Sequence, residues 1–162
     1  LMILPMGSPL CQGAETSGAG SQKDACFARL DAIQTVQPFL PDTVGAALDT
    51  LFTADSPPST DYFSVYRSEG LPGSWLQRAE LRVSNRSPEE SSLVLDIAPS
   101  LTITADEVTA RYGFPASISP PNPHASAAPV YYRYRRDRQE LKFAFQQDTW
   151  RLVTVILNRL KD

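Results

Sequence analysis

The chain is poor in the residues that most often carry chemistry. It has two cysteines and one histidine among 162 residues. There is no C-x-x-C pair and no cysteine and histidine cluster, which disfavours zinc binding and thioredoxin-type chemistry. A glycine-rich phosphate loop and a dinucleotide fingerprint are also missing. We therefore expect no cofactor, no bound metal and no enzymatic activity.

The single histidine and the carboxylates do not change this expectation. His124 lies in a proline-rich loop, which is a poor mount for a catalytic base. A hydrolase would need two carboxylates that converge on one cleft. Neighbouring carboxylates on a strand point to opposite faces, and Asp106 and Glu107 suit a helix N-terminus. A hydrolase that uses scattered carboxylates remains the least favoured alternative.

Long apolar runs are absent as well. The longest apolar stretch is Leu1 to Leu10, which is too short to span a bilayer. Small residues follow it from Cys11 to Ser21, as in the tail of a signal peptide or in a vector scar. We expect a soluble protein that is periplasmic or secreted, with residues 1–22 forming a flexible arm.

Two cysteines are the smallest number that can form an internal disulfide. A bridge between Cys11 and Cys26 would tie the arm to the first helix and could contribute about 3 kcal/mol. Exported proteins keep such bridges, so we predict this one, and two unrelated thiols are the alternative.

The net charge of −3 is unevenly distributed. Residues 1–129 carry a formal charge of −7, and residues 130–162 carry +4. Nucleic-acid-binding domains usually have a basic excess, so nucleic acid is not expected as a partner. The basic C-terminal segment is either a solvated sheet face or a binding patch.

Hydrophobic periodicity predicts helices first and strands afterwards. Apolar residues recur at helical spacing in residues 24–37 and 42–52, and Asp42 is a plausible N-cap of the second helix. Alternating patterns predict strands at 62–66, 77–83, 92–97, 130–135, 140–145 and 150–157. Thr104 and Glu107 form a capping box that begins a third helix, which Gly113 ends. The residues from 116 to 129 are predicted to be a loop.

These elements predict an α+β fold in which N-terminal helices pack on a largely antiparallel sheet. Residues 23–162 form one domain or two lobes, 42–100 and 101–162. Each lobe contains a helix and three strands, so a tandem helix-β-β-β repeat is a further interpretation. The predicted core is Phe27, Leu30, Leu48, Leu51, Val65, Leu81, Val83, Leu93, Leu95, Val108, Leu141, Phe143, Phe145, Leu152 and Ile156.

The segment 104–158 has a capped helix that ends in Gly113-x-Pro115, then an aromatic strand with Tyr132 and Tyr134, then a hairpin. It resembles small exported α+β modules of the outer-membrane assembly lipoprotein type (SmpA/OmlA-like) and of the tandem β-lactamase-inhibitor-protein type. The usual glycine before the helix is missing, and the loop 116–129 is an insertion. The resemblance implies a non-enzymatic, partner-binding role in the bacterial envelope.

Two segments are candidates for contact with a partner. Strand alternation places Tyr132 and Tyr134 on one face of residues 130–135, towards the core, and Tyr131, Arg133 and Arg135 on the other. Tyrosine and arginine are enriched at interface hot spots. The second candidate is the proline-stiffened loop with Pro120, Pro121, Asn122 and His124, because stiffness lowers the ordering cost of binding.

The sequence therefore predicts an exported binding domain, with an inhibitor or an immunity protein that occludes a secreted toxin or hydrolase as the concrete form. An envelope assembly or lipid-contacting module and an acidic secretion chaperone are the alternatives. The partner would be another protein, and no transmembrane span is expected.

Overall fold

The computed structural model describes residues 17–55, 61–70, 73–87, 89–120, 124 and 127–160. The described helices are α1 (Ser17–Thr35), α2 (Pro41–Leu48) and α3 (Ala105–Tyr112). The described strands are β1 (Thr53–Ala54), β2 (Phe63–Glu69), β3 (Leu76–Ser84), β4 (Ser91–Ile97), β5 (Ser117–Ser119), β6 (Val130–Arg136), β7 (Gln139–Phe145) and β8 (Leu152–Arg159).

The strands form one continuous sheet in the order β1-β2-β3-β4-β8-β7-β6-β5. Every neighbouring pair is antiparallel. The predicted α+β fold on an antiparallel sheet is confirmed, although α3 lies between β4 and β5 and is not N-terminal to the strands.

The two halves of the chain contain the same elements in the same order. In each half a helix is followed by a short edge strand and then by three long strands. The sheet order runs inwards from both edges, and the last strands of the two halves, β4 and β8, meet at its centre. The strands that correspond are β2 with β6, β3 with β7 and β4 with β8. They are the three strands that the sequence predicts in each lobe. Because β4 and β8 are hydrogen-bonded, the two halves share one sheet and one core.

All three helices pack on the same face of the sheet. Residues that face each other across antiparallel strands share a face, and Leu81, Leu93, Leu157 and Leu141 face one another in turn across four strands. These leucines belong to one buried cluster that also contains residues of each helix: Phe27, Leu30 and Ile33 of α1, Val44 and Leu48 of α2, and Val108 of α3. One face is therefore the core face.

The start of α3 matches its sequence signal. Thr104 Oγ1 accepts a hydrogen bond from the Glu107 amide at 3.4 Å, and the Glu107 carboxylate accepts one from the Thr104 amide at 2.8 Å. The predicted capping box is confirmed. Lys23 Nζ of α1 lies 2.7 Å from the same carboxylate and ties the two helices together. Burial raises the pKa of Glu107, but the hydrogen bonds from Lys23 and Thr104 outweigh it, and the net pKa is lowered.

Three expected core residues lie elsewhere. Val65 is buried, but it faces Arg82 and so lies on the side of the sheet opposite the helices. Leu51 is 87% exposed, because α2 ends at Leu48 and Asp49 takes a left-handed conformation that turns the chain outwards. Ile156 lies on the opposite face of the sheet from Leu157, because strict alternation fails in β8. A register shift at Ala144 and Phe145 inserts one residue, so that Leu152 and Leu157 both reach the core face.

Three element boundaries also differ from expectation. α1 begins at Ser17, so residues 17–22 of the expected arm are helical, and residues 1–16 lie outside the described part. The N-cap of α2 is Leu40, since Pro41 occupies the first helical position and Asp42 falls in the first turn. Ser117–Ser119 of the expected loop form β5.

Cys26, a residue of α1, lies in the core with 0% of its surface exposed. Burial raises its pKa to about 12, which disfavours the reactive thiolate. Cys11 lies outside the described residues, so the disulfide remains a prediction.

Candidate interaction surface

The face of the sheet opposite the helices carries the candidate surface. We call it the open face, because none of the described elements packs against it. One row across it runs Arg67, Glu80, Val94, Ile156, Lys142 and Arg133, which face one another from β2 to β6. Tyr131 and Arg135 belong to the rows on either side. The open face therefore contains all three β6 residues that the sequence singles out.

Ion pairs connect the side chains in the β1–β4 half of the open face. Arg67 contacts Asp55 at 2.7 Å and Glu80 at 3.1 Å, and Arg82 contacts Glu80 at 2.6 Å. Burial raises the pKa of Glu80, but hydrogen bonds from Arg82 and Arg67 outweigh it, and the net pKa is lowered. Glu80 is therefore an ionised partner for two arginines.

A second pair lies near the middle of the sheet. Arg78 Nη2 donates to Asp96 Oδ2 at 2.6 Å, and Asp96 Oδ1 accepts a hydrogen bond from Thr154 at 3.2 Å. The hydrogen bond and the charge of Asp96 raise the pKa of Arg78. These contacts fix the side chains that border the centre of the face.

The centre of the open face is apolar. Val94 of β4 and Ile156 of β8 face each other there, and both are half-buried. Ala144 lies on the same face, opposite Thr154 in the neighbouring row, and is buried. An apolar centre with a charged border is the usual anatomy of a protein interface.

In the β6–β7 half of the open face, basic side chains outnumber carboxylates. Glu140 is bound by Lys142 at 2.6 Å, and it accepts a hydrogen bond from Asn158 at 3.3 Å. Burial raises the pKa of Glu140, but Lys142 and the charge of Arg133 outweigh it, and the net pKa is lowered. Neither Arg133 nor Arg135 forms an ion pair with a described residue.

The side chain of Arg133 also contains a hydrogen-bond donor that has no partner among the described residues. Its Nε atom is buried and makes no hydrogen bond with the described part of the chain. A buried donor without a partner costs free energy, but Nε is shielded from solvent, so an acceptor from a partner would contact the other atoms of this half-buried side chain. Arg135 is exposed on the same face.

The inward residues of β6 lie where alternation predicts. Tyr134 is 8% exposed, and its hydroxyl donates to the Gly113 carbonyl at 3.0 Å. Tyr132 packs edge-on against Phe145 with ring centroids 5.0 Å apart. Tyr131 is half-buried on the open face. The face assignment of the β6 tyrosines follows from strand alternation alone.

The loop residues are only partly described. Pro120 and His124 are exposed, whereas Pro121 and Asn122 lie outside the described residues. Ser119 pairs with Tyr131, so the loop leaves the sheet beside Tyr131. Arg135 lies four residues further along β6, about 13 Å away. The loop and the two arginines thus occupy different parts of the sheet edge.

Sequence reasoning missed most of this surface. The ion pairs join strands that are distant in sequence, so no local pattern reveals them. Strand alternation does identify Glu80 and Arg82 as outward residues. The exposed aromatic residues Phe114 and Trp150 were not singled out for binding. Trp150 was expected to begin a strand, but β8 begins at Leu152.

Three carboxylates of the open face are paired with basic residues. Glu80, Asp96 and Glu140 each contact an arginine or a lysine. The pKa of Glu80 and that of Glu140 are lowered by these contacts, and a carboxylate held ionised by a cation is a poor general acid. Among the described residues, no group of three or more histidine, cysteine, aspartate or glutamate side chains could hold a metal ion.

No helix in the described part of the chain has both the length and the apolar character needed to cross a membrane.

Comparisons with known proteins place the fold beside one solved structure. No protein-family model matches the chain, and no curated protein matches it. The chain is similar to the crystal structure of a DUF4309 family protein, YjgB, from Bacillus subtilis subsp. subtilis strain 168, with a TM-score of 0.50 and 15% identity. The match covers 90% of this chain and 99% of that one. It shows the shared α+β fold, and the resemblance to envelope modules remains a prediction.

Proposed function

We propose that the protein is a non-enzymatic binding domain that covers an acidic surface of a partner protein with its open face. The observation that carries the proposal is the apolar pair Val94 and Ile156 at the centre of a face bordered by charges. Protein interfaces combine an apolar centre with a polar rim in this way.

The size of the face suits a protein partner. Six long strands at about 4.8 Å spacing, with seven residues of about 3.3 Å each, give roughly 29 by 23 Å. That is on the order of 670 Å² in projection, close to the roughly 800 Å² that each partner contributes to a standard interface.

Charge defines the chemistry of the partner. The β1–β4 half of the face is internally paired, so it offers little net charge. Arg133 and Arg135 form no ion pair with a described residue, so they supply positive charge that a partner protein can contact. A partner with one or two carboxylates beside an apolar side chain would satisfy both regions.

The biological form that we propose is an exported inhibitor or immunity protein. The apolar N-terminal stretch and the absence of catalytic residue patterns motivate this form. By covering a catalytic or toxic surface, such a domain acts without chemistry of its own.

The test uses two variants that differ by strand face. In R133E/R135E the charge is reversed on the open face, and in R136E it is reversed on the neighbouring residue, which points to the opposite face. We expect a stoichiometric partner to be captured from the source cells by the wild type and by R136E. R133E/R135E should bind that purified partner at least about tenfold more weakly, because charge-assisted contacts are lost.

Equal affinity of the wild type and R133E/R135E would reject the open face as the binding surface. Capture of membrane assembly components alone would instead favour the envelope-module alternative.

A further inference from the structure

A cavity lies on the core-face side of the sheet, where α1 ends. Its volume is about 510 Å³, within the range of small-molecule sites. Val36, Pro38, Phe39 and Leu160 provide apolar walls, and Arg138, Arg159 and Glu89 provide charge. The cavity is on the opposite side of the sheet from the open face, so a ligand here is independent of the proposed function.

Arg159 is the central group of this cavity. Its Nη2 atom donates to the Val36 carbonyl at 2.8 Å and to the Gln34 carbonyl at 3.2 Å, and so it caps the C-terminus of α1. Its guanidinium group lies 5.0 Å from the centre of the Phe39 ring. The negative end of the α1 dipole favours a cation at this position.

The charge of Arg159 is not neutralised by a carboxylate of the described residues. Burial lowers the pKa of Arg159, and no neighbouring charge offsets this shift. Buried charges in proteins are normally paired. An anion from outside would supply the counter-charge that the chain does not.

Two buried polar atoms next to the cavity have no hydrogen-bond partner among the described residues. They are Arg159 Nε and Ser91 Oγ, and Ser91 faces Arg159 directly across β4 and β8. Neither atom is exposed, and Ser91 does not line the cavity. A ligand in the cavity therefore meets Arg159 through atoms of the side chain other than Nε.

We propose that this cavity binds a small carboxylic acid with an apolar body, whose carboxylate lies against the guanidinium group of Arg159 and whose body lies against Val36, Phe39 and Leu160. Arg138 adds a second positive charge at the cavity. Glu89 opposes an anion, since its carboxylate is exposed at the same opening.

Three probes separate charge from hydrophobicity: octanoate, octan-1-ol and butyrate. Octanoate should give saturable ¹H–¹⁵N chemical-shift changes at the amides of Val36, Phe39 and Leu160. Octan-1-ol should bind at least about tenfold more weakly, since it lacks the charge-assisted hydrogen bonds, and butyrate should bind more weakly because it lacks the apolar body. Equal binding of octanoate and octan-1-ol, or no saturable shift with octanoate, would overturn the proposal.

Variants with opposite expected effects on the affinity for octanoate complete the test. R138Q should weaken octanoate binding about two- to fivefold, and E89Q should tighten it by a similar factor, as expected for partly exposed charges. R159K keeps the charge but removes the planar guanidinium group that pairs with a carboxylate, and it should weaken binding about tenfold. R136Q, outside the cavity lining, is the control and should leave the affinity unchanged. A change of the same sign in R138Q and E89Q would reject the electrostatic argument.

Discussion

Adjacent residues of β8 should differ sharply in what they contribute to stability. Leu157 is 1% exposed in the core, and Ile156 is half-buried on the open face. Leu157→Ala leaves a cavity beneath the helices, which costs about 2–5 kcal/mol. Ile156→Ala loses a cross-strand contact with Val94 and some strand propensity, together about 1 kcal/mol. At about 2–4 °C per kcal/mol for a chain of this size, the shifts in Tm are roughly 4–20 °C and 2–4 °C.

Urea unfolding followed by circular dichroism measures both variants. The denaturant midpoint should fall much further for Leu157→Ala than for Ile156→Ala, with unchanged m-values, so that the difference reports stability alone. If Ile156→Ala cost as much as Leu157→Ala, the face that carries Ile156 would be covered in the folded protein. The open face would then be part of the core, and the reasoning for a binding surface would fail.

Three further predictions concern a charge, a thiol and a glycine. Glu107→Gln should destabilise the protein by about 1 kcal/mol at neutral pH through the weakened capping box. Because the folded pKa of Glu107 is lowered, its contribution is complete above about pH 4.3 and is lost as the pH falls through the folded pKa. Urea midpoints of the wild type and Glu107→Gln should therefore converge at acid pH, and a constant gap would contradict this. In a Cys11→Ser variant, the Cys26 thiol should react with a thiol reagent far more slowly in the native state than in urea, and rapid native reaction would show that the core opens. A methyl group on Gly70 would lie 1.7 Å from the Leu76 carbonyl oxygen, so Gly70→Ala should cost about 1–3 kcal/mol or more. Gly20→Ala in α1, with open space around it, should be neutral or slightly stabilising in the same unfolding assay.

Sequence reasoning predicted the parts of the fold that depend on local patterns. The alternation of Leu93, Leu95 and Ile97 assigned the core face of β4, and Thr104 with Glu107 marked the start of α3. Both signals act within a few residues, so neither needs tertiary information. The two-residue strand β1 and the three-residue strand β5 are too short to show a pattern, and only pairing with a neighbour defines them.

The misplaced residues share a physical cause. Alternation counted from Leu152 places Ile156 in the core. A one-residue register shift against β7 moves Ile156 to the open face instead. Leu51 continues the helical pattern of α2, but the left-handed Asp49 ends that helix first. Irregularities of one residue are fixed by packing, and packing is not visible in periodicity.

The candidate sites could be predicted only in part for the same reason. Tyr131, Arg133 and Arg135 lie next to one another in sequence, so alternation places them on one face. The cavity of Arg159 also contains Glu89, and these residues, 70 positions apart, are brought together by the β4–β8 pairing. No local feature of the sequence predicts that pairing.

The position of β8 has a consequence for how the chain reaches its fold. In the sheet, β4 and β7 each find their second neighbour in β8, which comes after every other described strand in the chain. During synthesis, two unpaired strand edges therefore wait until residues 152–159 emerge from the ribosome. Such edges readily pair with other chains. A chain cut before residue 152 is expected to self-associate or be degraded, and we expect that the two similar halves do not fold as independent units.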